Sequence, residues 1–379
     1  MHFDDILGLK HIKNHLISSI ENRRVAHAQL FVGQSGSGTL PMAIAFARAL
    51  ISDSLPETKQ KYLHHSFDQL THPDLHFVYP INKTPDSPKK PVSKDFVKDF
   101  RKFVVQNTYQ SLYDWYQFIG IEKKQGNINV DEATDIVKSL SLKSYEGGAK
   151  VMIIWCADKM NTASSNKLLK LIEEPPTNTF FILITEHPSD ILQTIKSRCQ
   201  ILDFPPLGEA DIIEGLLDKF DISEAEATKF AQQSDASFTK ALHIAEHNSD
   251  DEHFEKWFIT WVRSAFRAKG NKHVVLELLN WSDTLSNETR ETQKRFLHYC
   301  INFFRQALLK NYKANSLVFL ETYDSGFKFD AFSQFIHGAN ISKIFSALET
   351  AIFHIERNGN AKIIFSDLSF ELTRLLHKK

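Results

Sequence analysis

Cysteine is scarce in this chain: Cys156, Cys199 and Cys300 are the only three among 379 residues, an odd and scattered set without a CxxC pair. That count excludes a disulfide framework and a cysteine-based zinc site, and it suits a reducing compartment, the cytoplasm by default. Long apolar runs are lacking too. Nowhere do 18 consecutive residues stay apolar, so no membrane span is expected. The first residues, Met1 to Asp5, carry neither a basic stretch nor an apolar core, and no secretory leader is expected. An excess of one charge is also missing, with 45 Lys and Arg against 46 Asp and Glu for a net charge of −1. Any contact with nucleic acid therefore has to come from a local basic patch, because the net field offers phosphate no long-range attraction.

Aromatic residues, by contrast, are plentiful. The chain has 30 Phe, which points to cores or helix interfaces filled by ring packing. Its length exceeds what one hydrophobic core usually organises, so two or three domains are expected.

The first part alternates helical and strand patterns, as a parallel sheet covered by helices requires. Helical spacing in Ile12, Leu16, Ile17 and Ile20 precedes the apolar run Ala28 to Val32, which ends in glycines. The stretch Gly33 to Leu40 then leads into Pro41 and a helix over Met42 to Ile51, where a first-turn Pro costs no hydrogen bond. Two more buried strands are predicted at Val151 to Trp155 and Phe180 to Ile184, with a helix from Ser164 to Glu174 between them that Pro175 and Pro176 stop. Beyond Pro205 and Pro206 the pattern is amphipathic helices alone. Residues 83 to 126 look inserted. A proline-broken polar stretch, Lys83 to Pro91, opens them, and an amphipathic helix bearing Phe96, Phe100, Phe103 and Val104 follows, its stripe expected to pack on the parent domain.

Strand, glycine loop, helix is the order of a phosphate-binding loop. A working loop reads GxxxxGK[ST], in which backbone N–H groups curl around phosphate, the Lys neutralises charge and the hydroxyl holds Mg²⁺. Here Gly33, Gly36 and Gly38 keep the loop, but Thr39 stands at the Lys position and Leu40 at the hydroxyl position. The strand that should end in an Asp-Glu pair ends instead in Trp155-Cys156, and neither is a hard oxygen ligand for Mg²⁺. ATP hydrolysis by this chain is therefore not expected.

Several segments, taken in order, resemble the clamp-loader branch of the AAA+ proteins in bacterial DNA polymerase III. They are Phe3 to Gly8, His27 to Phe31, His72-Pro73-Asp74, Glu146 to Lys150, Asn166 to Pro176 and Ser197-Arg198-Cys199, and they span most of residues 1 to 205. The resemblance implies an AAA+ P-loop-like α/β domain with a parallel sheet over 1–206, a helical lid over 207–248 and an all-α collar over 249–379. It implies that Arg198, with Ser197 and Cys199 as its motif, reaches across a subunit boundary as an arginine finger for a neighbour's ATP. The alternative is an Arg that satisfies carboxylates on its own surface. The lid segment Ala236 to Leu242 resembles the sensor-2 segment with Thr239 in place of its Arg, a further lost ATP contact. Arg357 to Lys362 resembles a collar segment that helps close the ring.

The implied role is a non-hydrolysing subunit of a hetero-pentamer with delta and gamma/tau subunits, meeting primer-template DNA and the sliding clamp through the complex. No cofactor is expected on this chain, ATP being bound by its neighbours, and neither a metal nor a membrane is expected. Two other readings remain: an active gamma/tau-like AAA+ ATPase with an altered loop, and a DNA-binding module acting alone, which the charge balance disfavours. Many relatives carry a cysteine zinc module ahead of the His-Pro-Asp segment. This chain has His64, His65, His72 and His76 there, with Asp68 and Asp74 nearby, at a spacing that matches no standard metal set.

Overall fold

The computed structural model describes residues 1–56, 65–122, 124–145, 147–246, 251–268, 271–320, 322 and 326–378. They divide into two compact units, Met1–Ala245 and Glu246–Lys379.

The first unit is built on strands β1 (Ala28–Val32), β2 (Leu75–Val78), β3 (Lys150–Ile154), β4 (Thr179–Thr185) and β5 (Gln200–Asp203). They lie in the order β2-β3-β4-β1-β5, and every pairing is parallel. Leu30 at the middle of β1 faces Leu183 on one side and Ile201 on the other. Side chains alternate across such a sheet, and the alternation divides the core in two. Val151, Ile153, Ile182 and Ile184 feed one buried cluster, whereas Met152, Ile154, Phe181 and Leu183 feed the other. Helices Val130–Ser141 and Thr162–Glu173 cover the second face through Ala133, Ile136, Leu140, Leu168 and Ile172. Helices Lys10–Glu21 and Thr39–Asp53 contribute Ile12, Leu16, Phe46 and Leu50 to the first. This is the helix-covered parallel α/β sheet expected above. The two edge strands, β2 and β5, were not among the expected ones. Three further helices, Glu209–Lys219, Glu224–Gln233 and Phe238–Ala245, share the first cluster through Ile212, Leu216, Ala227, Ala231, Phe238 and Leu242.

Between β2 and β3 the chain makes an excursion. Its neck is closed where Ile81 and Asn127 exchange both backbone hydrogen bonds, at 3.2 and 3.0 Å. Within it a short 3₁₀ turn, Ser93–Phe96, continues into helix Val97–Gln106, and helix Leu112–Phe118 follows with Ser111 capping it. The aromatic stripe faces inward, as expected. Phe100 stacks on Tyr79 just beyond β2 at 3.8 Å, and the Trp115 indole donates to the Pro80 carbonyl at 2.9 Å.

One anchor of this excursion is a buried carboxylate. Glu132, in the first turn of helix Val130–Ser141, accepts the Ser93 backbone N–H at 2.6 Å. Burial pushes its carboxyl up to about 7, the charges of Asp135 and Asp95 add to this, and the Ser93 hydrogen bonds oppose it. Between its ordinary value and about 7 the folded chain keeps a proton that the unfolded chain has released. Stability therefore falls as pH rises through that window, by about 3 kcal/mol in all. Urea denaturation between pH 5 and pH 8 is expected to show this slope, and Glu132→Gln to flatten it. An equal slope in the variant would assign the pH dependence to other groups.

The second unit is helical throughout its described residues, with helices Asp251–Arg267, Lys272–Ser286, Arg290–Asn311, Phe329–Ser333, Ile341–Glu356 and Ala361–Leu376. Its core is aromatic. Trp261 and Trp281 stack at 4.9 Å, and the Trp261 indole donates to Ser369 Oγ at 3.0 Å. The segment Arg357 to Lys362 is the turn between the last two helices. Asn358 adopts positive φ, Gly359 N–H returns to the His354 carbonyl, and Asn360 caps the final helix.

Candidate functional site

The Gly loop sits where the sequence places it, between the end of β1 and helix Thr39–Asp53. Gly33 N–H donates to the Thr185 carbonyl at 3.1 Å, which ties the start of the loop to the end of β4. Gly36 and Gly38 have φ of 83° and 90°, a left-handed backbone that favours glycine. Thr39 and Leu40 open the helix and are both buried.

Little space is left beside the loop. The cavity lined by Gly36, Gly38, Thr39, Tyr109, Trp155 and Glu186 measures about 20 Å³, space for about one water. Tyr109, buried, comes from the excursion and lies over the loop. A Cβ on Gly38 would meet its ring at 3.5 Å and its hydroxyl at 3.6 Å. Its hydroxyl oxygen accepts the Leu7 N–H at 3.0 Å, and its ring packs edge-on against Phe238 at 5.0 Å. At the metal position, Trp155 points into the aromatic stripe, 5.9 Å from Phe100 and 6.1 Å from Phe103. Cys156 beside it is buried, and that burial pushes its thiol well up, so it remains a neutral packing group.

Glu186 also lines this cavity, as a residue exposed to solvent. Desolvation raises its carboxyl above the usual range, and the Ser35 backbone N–H in the loop bonds to it. A loop N–H thus serves a carboxyl group of the chain itself. On the far side, Phe238 N–H reaches the Gly36 carbonyl at 3.4 Å, and Ser237 Oγ donates to the Ser35 carbonyl at 2.8 Å. Thr239 donates its hydroxyl to the Tyr109 carbonyl. Sequence reasoning named Thr39, Leu40, Trp155, Cys156 and Thr239, and these converge here. It missed Tyr109 and Glu186, which belong to no motif.

Arg198 lies elsewhere on the first unit, just after the short helix Gln193–Lys196 that follows β4. Its side chain is 34% exposed; Nη2 contacts Glu173 Oε1 at 3.2 Å and Nη1 donates to the Thr194 carbonyl at 3.0 Å. Its Nε has no hydrogen-bond partner among the described residues. Cys199 is partly buried with its thiol pushed up to about 11 by desolvation, and Ser197 Oγ donates to the Thr194 carbonyl at 3.2 Å.

The histidines upstream of β3 do structural work. His72 is buried, stacks on Phe67 at 4.9 Å and accepts the Asp74 N–H on Nδ1 at 3.1 Å. Burial lowers the His76 imidazole below its ordinary value and keeps it neutral. Among the described residues no three His, Cys, Asp or Glu side chains converge as a metal site. His64 of that group, and Glu146 of the segment before β3, lie outside the described residues.

Residues 8–208 match the sequence profile of the family described as DNA polymerase III, delta subunit. The chain belongs to this family. Among curated proteins it is similar to DNA polymerase III subunit delta' of Bacillus subtilis strain 168, at 29% identity over 212 residues, 54% of this chain and 50% of that one. It resembles subunit delta' of Escherichia coli K12 at 36% identity over 86 residues, 23% of this chain and 26% of that one. DNA polymerase III subunit tau of Bacillus subtilis is 25% identical over 247 residues, 64% of this chain and 37% of that one. The chain spans half or less of the length of these three relatives. Within the family the likeness is to the delta-prime type. No helix among the described residues is long and apolar enough to cross a membrane.

Proposed function

We propose that this chain is a non-hydrolysing, delta-prime-type subunit of a cytoplasmic DNA polymerase III clamp loader. It assembles with delta and gamma/tau subunits in a hetero-pentamer that loads the sliding clamp on primed DNA. ATP is bound by its neighbours, and Arg198 supplies an arginine finger to one of them. Residues 1–206 act as the AAA+ domain, 207–248 as the lid and 249–379 as the collar, where the turn Arg357 to Lys362 takes part in closing the ring.

The observation that carries the reading is the filled Gly loop: Tyr109 lies over Gly38, and Trp155 stands at the position of the metal-binding carboxylate. Phosphoryl transfer depends almost wholly on positioning and on charge placed around the phosphates. A site without its Lys, its metal ligand and its space offers none of these.

Reconstitution tests the reading: with delta and gamma/tau subunits the chain is expected to support DNA-stimulated ATP hydrolysis and clamp loading while showing no ATPase alone. The double substitution Thr39→Lys with Leu40→Thr restores the loop motif but leaves Tyr109 in place. It is expected to gain no ATP affinity by calorimetric titration. Tight Mg²⁺-dependent binding to the unaltered chain would favour the rival reading as a gamma/tau-like ATPase.

A further inference from the structure

We propose that the excursion between β2 and β3 is a built-in replacement for nucleotide, a protein bridge that holds the helices Glu209–Lys219 and Phe238–Ala245 against the Gly loop at all times. The inference rests on reading that loop as a vacated nucleotide site, and goes beyond it by giving the occupant a task.

The contacts come from one short stretch, residues 107 to 114. Tyr109 touches three separate parts of the fold at once. Its hydroxyl accepts from Leu7 at 3.0 Å in the N-terminal segment, its ring covers Gly38 of the loop, and its ring edge meets Phe238 at 5.0 Å. Its carbonyl accepts the Thr239 hydroxyl. One helical turn further along the same helix, His243 Nε2 lies 3.1 Å from Asp114 Oδ1. Burial alone would raise the Asp114 carboxyl, but the His243 and Ser111 hydrogen bonds outweigh it and hold it below its usual range. At the other helix, Lys219 Nζ is 3.5 Å from Asn107 Oδ1.

Tyr109, Phe238 and Thr239 are all buried, so the contacts among these three exclude water, and losing the Thr239 hydroxyl would leave the Tyr109 carbonyl without that bond; the Lys219 and Asn107 contact lies at the surface. A diffusible ligand that joins a loop to a mobile helical segment lets that segment respond to its arrival and departure. A ligand that is part of the chain is held at a high and constant effective concentration and so removes the response. The neck at Ile81 and Asn127 and the Phe100 ring stack give the bridge a rigid base, so it holds one position rather than fluctuating between two.

Hydrogen exchange on the full chain tests this, comparing the unaltered protein with Tyr109→Ala and Tyr109→Phe. In Tyr109→Ala, exchange over Glu209–Lys219 and Phe238–Ala245 is expected to quicken on the order of 100-fold while β1, β3 and β4 keep their protection. Tyr109→Phe keeps the ring and is expected to stay within about tenfold of the unaltered chain. Unchanged protection of those helices in Tyr109→Ala would overturn the proposal. If Tyr109→Ala fails to fold, Thr239→Val serves. It deletes only the hydroxyl donated to Tyr109, and several-fold faster exchange confined to Phe238–Ala245 supports the bridge, whereas no change overturns it. A parallel arm adds Mg·ATP to the unaltered chain. New protection of the Gly loop there would overturn the vacated-site reading by itself, separately from the comparison among variants.

Discussion

In a reconstituted clamp loader, Arg198→Ala is expected to lower hydrolysis at the nucleotide it reaches by on the order of 10³-fold or more, the scale on which arginine fingers act. The same substitution should hardly touch the fold of this chain. Arg198 is held by Glu173 at 3.2 Å and by the Thr194 carbonyl at 3.0 Å, both at the surface. Exposed ion pairs of that kind contribute about 0–1 kcal/mol, so exchanging Glu173 for a neighbour's phosphate costs little against a gain of about 4 kcal/mol or more in the transition state. On the proposed reading, these magnitudes favour the phosphate over the surface pair as the contact that matters. Arg198→Lys keeps the charge but loses the planar fork, and an intermediate rate is expected. The measurement is DNA-stimulated ATPase of complexes whose assembly has been checked by size. Full activity in a correctly assembled Arg198→Ala complex would leave the Glu173 pair as the residue's whole role.

The central strands and the loop between them were legible in the sequence for a physical reason. β1, β3 and β4 are covered on both faces and so read as unbroken apolar runs, which fixes them to within a residue or two. β2 and β5 lie at the sheet edges, and β5 in particular carries Gln200 and Asp203 around a half-exposed Ile201, a pattern indistinguishable from a loop. At the site, spacing alone sets Thr39, Leu40 and Trp155 against the positions at which a phosphate-binding motif carries its Lys, hydroxyl and carboxylate. What packs against the loop could not be read. Tyr109 is separated from Gly38 by some seventy positions, and its place over the loop follows from the packing of two inserted helices rather than from any local pattern. His243 and Asp114 were hidden for the same reason.

The inserted helices should prove to be part of the core rather than an ornament on it, and Phe100→Ala is the sharpest way to show this. Phe100 is fully buried, stacked on Tyr79 at 3.8 Å, edge-on to Trp115 at 5.4 Å and 5.9 Å from Trp155. Deleting a buried Phe ring costs about 3–5 kcal/mol, because the surrounding rings cannot collapse fully into the space. Set against a total stability of about 5–15 kcal/mol, that is enough to bring the first unit close to its unfolding threshold. Phe100→Leu fills most of the same volume and is expected to cost roughly 1.5 kcal/mol or less. Urea unfolding, followed at the amides of β3 so that the second unit does not obscure the transition, measures both. The size of the effect bears on the site as well as on stability. Trp155 stands just past β3 beside the Gly loop, and its indole lies 5.9 Å from Phe100 and 6.1 Å from Phe103. A loss below about 1 kcal/mol for Phe100→Ala would mean that those rings are not what holds Trp155, and that the excursion and the Gly loop are independent features of the chain.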